Sequence, residues 1–150
     1  GLRGVDPWRC TSSNRQTNGL DEISTSAPTQ IWDVTSGELR IETLQPASLG
    51  IKAATLEELR GGDARHNAEV VRAIVAGRSD GNLGAIRDVV AINSAATMVA
   101  FDAAIGSPNF GTTDIPVVNR IRAALPVAYR SLDTGAAASL LDVWVSVSQR

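Results

Sequence analysis

Gln30-Ile31-Trp32-Asp33-Val34-Thr35-Ser36-Gly37-Glu38-Leu39-Arg40-Ile41-Glu42-Thr43-Leu44 is the stretch from which the fold class is read. Residues 30–34 and 38–44 flank a Thr35-Ser36-Gly37 turn. In the second arm Leu39, Ile41 and Thr43 alternate with Arg40 and Glu42. A period of two leaves one face buried and one wet, so the segment predicts a β-hairpin with Leu39, Ile41 and Thr43 on its inner face. Pro46 ends the arm, because proline has no N–H to give to the ladder.

Beyond the hairpin the period becomes helical. Thr55-Leu56-Glu57-Glu58 has the spacing of a capping box and predicts a short helical turn to Leu59, broken by Gly61-Gly62. Asp63 is a natural N-cap for a helix that ends at Gly77, with Ala68, Val71 and Val75 in a stripe and Ile74 beside it. After a polar loop, residues 87–105 are apolar nearly all round: Val89, Val90, Ile92, Met98, Val99 and Phe101. Such a helix is buried on most sides, and Asn93 inside it needs hydrogen-bond partners. Asp114 is the expected cap of the next helix, with Pro116 in its first turn. Val118, Ile121, Leu125, Ala128 and Leu132 form its stripe, and Pro126 interrupts it and should kink or break the helix. A last helix after Gly135 is expected to turn Leu140, Leu141, Trp144 and Val145 inward.

Upstream of the hairpin, residues 12–18 are polar without interruption, so residues 1–18 read as an irregular leader to a domain over 19–150. Trp8 is the leader's one large apolar side chain, and a strand is expected to begin near Leu20. Gly19-Leu20-Asp21-Glu22-Ile23-Ser24 then sets two adjacent carboxylates at the head of an extended segment. Carboxylate oxygens are hard donors, which Mg²⁺ accepts while sharing its other positions with water and phosphate. Adjacent acids also sit on ordinary solvated turns. In a straight strand the two side chains point to opposite faces, so joint metal binding requires a local bend. From the residues alone both readings stand.

With 43 % hydrophobic and 20 % charged residues in 150, the chain has the make-up of one soluble globular domain. Aromatic content of 4 % leaves Ala, Val, Leu and Ile to build the core. A net charge of −2 and dispersed arginines give no drive toward nucleic acid or an anionic membrane. The apolar run from Val89 to Ile105 contains Asn93, Ser94, Thr97 and Asp102, which fits a buried helix better than a membrane span. Cys10 is the only cysteine, so an internal disulfide and a Cys-based zinc cluster are excluded. That usage fits a reducing compartment, and no basic-then-apolar signal pattern opens the sequence. His66 has no partner at metal spacing and reads as a surface residue. Gly81-Asn82-Leu83-Gly84 reads as a plain connector, and Ser24 and Ser26 lack the His–Asp company of a hydrolase.

Five stretches occur in one order: GLDEIS at 19–24, IWDV at 31–34, LEELRGGDARHNAEVVRAIVAG at 56–77, RDVVAINSAA at 87–96 and SLDTGAAASLLDVW at 131–144. Together they resemble the C-terminal part of the anthranilate phosphoribosyltransferases, over about residues 19–148. The resemblance implies an α/β fold: the C-terminal portion of a nucleoside phosphorylase-like phosphoribosyltransferase domain. Short strands and a β-hairpin should be followed by about four packed helices. It further implies transfer of phosphoribose from phosphoribosyl pyrophosphate to anthranilate in the cytoplasm, with Mg²⁺ as cofactor held by Asp21 and Glu22. The family's GTGGD phosphate loop and helical domain are not among the matched stretches, which predicts no turnover by this chain alone and a homodimer only with the helical domain. A nucleoside phosphorylase-like enzyme and a non-catalytic, nucleic-acid-binding relative are the alternatives. The DEIS motif speaks against the first, and the missing basic stripe against the second.

Overall fold

A computed structural model describes residues 10–12 and 22–149; Trp8, Leu20 and Asp21 lie outside the described residues. Strands β1 (Cys10–Ser12), β2 (Thr29–Asp33) and β3 (Arg40–Leu44) form an antiparallel sheet in the order β1-β2-β3. Part of the expected leader is therefore a strand, with Cys10 opposite Ile31 and Ser12 opposite Thr29. Ladder bonds use backbone groups, so a polar segment pairs without any apolar period to announce it. The hairpin is present, with Trp32 opposite Ile41 and Asp33 opposite Arg40. Its turn closes with the Gly37 N–H donating to Val34 O at 3.0 Å, and Gly37 takes a φ of 86° that favours glycine.

The hairpin's faces are the reverse of those expected. Leu39 and Ile41 are each 57 % exposed, whereas Thr29, Ile31, Asp33 and Leu44 are buried, with Arg40 and Glu42 half-buried. The cause lies elsewhere in the chain. The Glu42 carboxylate accepts from the N–H groups of Val117 at 2.7 Å and Val118 at 3.3 Å, while Arg40 donates to the carbonyls of Thr113 and Asp114. The inner face of β3 is polar because it meets the unpaired donors of a helix start.

Four helices follow: α1 (Ala64–Val75), α2 (Leu83–Ile105), α3 (Val117–Asp133) and α4 (Ala136–Ser148). The capping box at Thr55 and Glu58 closes reciprocally, with bonds of 2.8 Å and 3.2 Å, but holds a turn rather than a regular helix. Asp63 caps α1 by accepting from the His66 N–H at 2.8 Å, and Gly77 ends it at a φ of 82°. On α1 it is Ile74 that is buried, while Val71 stays 48 % exposed. α3 is capped by Glu42 from the sheet and not by Asp114, whose carboxylate is taken by the Thr112 hydroxyl. Pro126 lies inside α3 without ending it.

The core sits between the inner face of the sheet and the α2–α3 pair. Ala91, Ile92, Ala95 and Val99 of α2 meet Val117, Ile121, Ala124, Leu125 and Ala128 of α3, with Ile23, Ile31, Leu44 and Ile51 closing the cluster. Alanines on both sides let the backbones approach closely. Further expectations of burial fail. Phe101 is 62 % exposed, and on α4 Leu140 and Trp144 are each 70 % exposed, with no buried residue in that helix. A helical period marks an apolar stripe and says nothing of what covers it. α2 is long and apolar enough to cross a membrane by length and composition, yet its inward side is the core of the domain.

Candidate functional site

The backbone bends at Glu22 and again through Thr25, Ser26 and Ala27 before entering β2, so no strand runs through residues 22–28. Glu22 is exposed, whereas Ile23, Ser24 and Thr25 behind it are buried. What seats them is Asn93 on α2. Its Oδ1 accepts from the Ile23 N–H at 3.0 Å, and its Nδ2 donates to Ile23 O at 2.8 Å and Val89 O at 2.9 Å. Asn93, expected in the core, is half-buried, and its amide is satisfied by a segment 70 residues away. Downstream, the Ser24 and Ser26 hydroxyls share a 2.7 Å bond and Ser26 N–H donates to Ser24 Oγ at 3.1 Å. Ala54 N–H donates to Thr25 O at 3.2 Å. The serines are spent on holding the bend.

Glu22 borders two hollows. One, of about 530 Å³, runs along α2 past Val89, Ser94, Thr97 and Met98. The other, of about 320 Å³, is bounded by Ser24, Leu56, Leu59 and Ile86. Among the described residues no group of three or more His, Cys, Asp or Glu gathers at metal distance. Mg²⁺ does not need one: it is commonly held by one or two carboxylates, with water and substrate phosphates filling the rest. Glu22 fits that role as an exposed hard donor beside open space. Asp21, its expected partner, lies outside the described residues.

Other charged groups have structural duties. His66 is exposed at the start of α1, as expected. The Tyr129 hydroxyl donates to Asp88 Oδ1 at 2.7 Å, and burial, reinforced by that carboxylate, pushes the phenol well above its usual range. Arg87 lies 4.7 Å over the Tyr129 ring and pairs with Asp133, which fastens α2 to α3. Asp33 and Arg120 form a fully buried ion pair at 2.6 Å that sequence reasoning missed. The available signal was that Asp33 shares the inward parity of Ile31 on β2.

Residues 14–138 match the model of the glycosyl transferase family, a/b domain, and the chain belongs to that family. Its relatives include the anthranilate phosphoribosyltransferase of an Arthrobacter species, 42 % identical over 135 residues, which are 90 % of this chain and 35 % of that protein. The enzyme of the same name from a Nocardioides species is 40 % identical over 148 residues, 99 % of this chain and 38 % of that one. The chain therefore spans little more than a third of the length of these relatives. In three dimensions it resembles the anthranilate phosphoribosyltransferase of Thermus thermophilus, with a TM-score of 0.67 and 25 % identity over 95 % of this chain and 36 % of that one. A variant of the Saccharomyces cerevisiae enzyme with Mg bound shares the fold at a TM-score of 0.65 and 20 % identity, over 90 % of this chain and 33 % of that one.

Proposed function

We propose that this chain is a C-terminal part, over residues 19–150, of a cytoplasmic anthranilate phosphoribosyltransferase, and that Asp21 and Glu22 supply its Mg²⁺ ligands. The reaction moves phosphoribose from phosphoribosyl pyrophosphate to the amino group of anthranilate. Its demand is to stabilise departing pyrophosphate while positive charge grows at the ribose C1. Bound Mg²⁺ supplies charge neutralisation at the phosphate oxygens. The observation that carries this reading is the exposed carboxylate of Glu22 on a fixed bend beside an open hollow. The share of identical residues with the Arthrobacter and Nocardioides enzymes supports the choice of reaction.

The test uses a complete enzyme carrying this segment, assayed by the loss of anthranilate fluorescence with phosphoribosyl pyrophosphate at limiting Mg²⁺. Glu22→Gln and Asp21→Asn should each lower the rate by about tenfold or more, with excess Mg²⁺ restoring part of it. Unchanged rates in both variants at limiting metal would remove the assignment.

A further inference from the structure

We propose that Asn93 is the positioning residue for the Glu22 carboxylate, setting its direction by clamping both peptide groups that flank Ile23. This rests on the metal reading of Glu22 above and adds a residue to it. The peptide group joining Glu22 to Ile23 carries the N–H that donates to Asn93 Oδ1 at 3.0 Å. The next peptide group carries the Ile23 carbonyl that accepts from Asn93 Nδ2 at 2.8 Å. One side-chain amide thus fixes the backbone on both sides of the residue after Glu22. The amide is itself tied to α2, because its second Nδ2 hydrogen is given to Val89 O at 2.9 Å.

Ile23 adds a second anchor, since its side chain is buried in the core cluster. Glu22 is then the first residue beyond a seat held by two hydrogen bonds and one apolar contact. A metal-ligating oxygen gains little from being present and much from being held, because each freely rotating bond ahead of it dilutes the productive geometry. Asn93 lines the same hollow as Glu22, with both of its donor hydrogens engaged and one lone pair of its Oδ1 taken by the Ile23 N–H. Its action on Glu22 is through the backbone it holds.

The experiment uses the 150-residue chain, ¹⁵N-labelled, with Mn²⁺ alone as the probe, read by paramagnetic broadening of amide signals along the hollow, Ser94 and Thr97 included. Asn93→Ala removes the clamp. Asn93→Ser removes it while keeping a helix bond, because a serine hydroxyl reaches the carbonyl four residues back, as Thr97 does to Asn93 O at 2.9 Å. Amide exchange at Ile23 is followed beside exchange at buried Ile92.

Both variants should speed Ile23 exchange by about tenfold relative to Ile92. Both should weaken Mn²⁺ binding by about tenfold. Asn93→Ser combined with Glu22→Gln should bind no more weakly than Glu22→Gln alone. Glu22-dependent Mn²⁺ binding of unchanged affinity in Asn93→Ser overturns the positioning role and leaves the metal reading intact. So does a loss in the double variant equal to the sum of the single losses. An unmodified chain whose broadening is absent, or unaffected by Glu22→Gln, overturns the metal reading and this inference with it.

Discussion

Arg120 is the largest fully buried side chain among the described residues, and its charge is answered by Asp33 at 2.6 Å and by the Thr35 hydroxyl at 3.0 Å. Asp33 also accepts from the Thr35 N–H at 3.0 Å and hydroxyl at 2.6 Å, so one carboxylate organises the hairpin turn and docks it on α3. Desolvating both ions offsets most of their attraction, and removing only one leaves the other stranded. Arg120→Leu is therefore expected to destabilise the chain by about 3–5 kcal/mol. Asp33→Asn with Arg120→Leu should recover part of that loss, because no unpaired charge remains. Urea denaturation midpoints of the three proteins decide it, and a double variant worse than Arg120→Leu would contradict the account. Asn93 was legible as an amide in need of partners, though it is half-buried rather than inside the core. Its partner was not, because a side-chain amide accepts any nearby backbone and sequence distance carries no hint of which.

At the scale of elements, the helices were legible where a local signal set their ends. Asp63 and Gly77 bound α1 through a cap and a left-handed turn, both written within a few residues. α3 shows the opposite case: its cap is Glu42, 75 residues upstream in β3. That contact also turned the hairpin over, placing Arg40 and Glu42 inward and leaving Ile41 exposed. Within α2 the apolar run gave the helix but not its buried side. Ile92 is fully buried and Phe101 is not, so Ile92→Ala should cost about 2–5 kcal/mol while Phe101→Ala stays within about 0.5 kcal/mol. Matching losses in midpoint for the two variants would show that Phe101 is covered in solution.

For the molecule as a whole, the decisive fact is how much apolar surface stays open. Leu140, Val143, Trp144 and Val147 of α4 and Phe101 and Ile105 of α2 are all exposed, more than scattered single residues on an ordinary surface. The chain alone is expected to give no turnover of anthranilate and phosphoribosyl pyrophosphate with Mg²⁺. Asp21 and Glu22, the carboxylates proposed to hold the metal, are only two ligands, and Mg²⁺ dehydrates too reluctantly for so sparse a site to position phosphates for in-line attack. Anthranilate fluorescence with the purified chain is the measurement, and clear turnover would contradict this expectation.

By itself the sequence determined the α/β class, the hairpin, the order of the four α-helices, and the family. All of these depend on local periods, caps and ordered motifs, which a linear string preserves. Only the tertiary structure decided which face of β3 points inward, that Asp33 and Arg120 meet, and that Asn93 seats the residue beside Glu22. The physical reason is shared: each is a choice of partner across 70 or more residues, made by the geometry of α2 and α3 against the sheet. Hydrophobic alternation ranks two faces by apolarity, but a row of unpaired N–H groups at a helix start outweighs that ranking when a carboxylate can reach it.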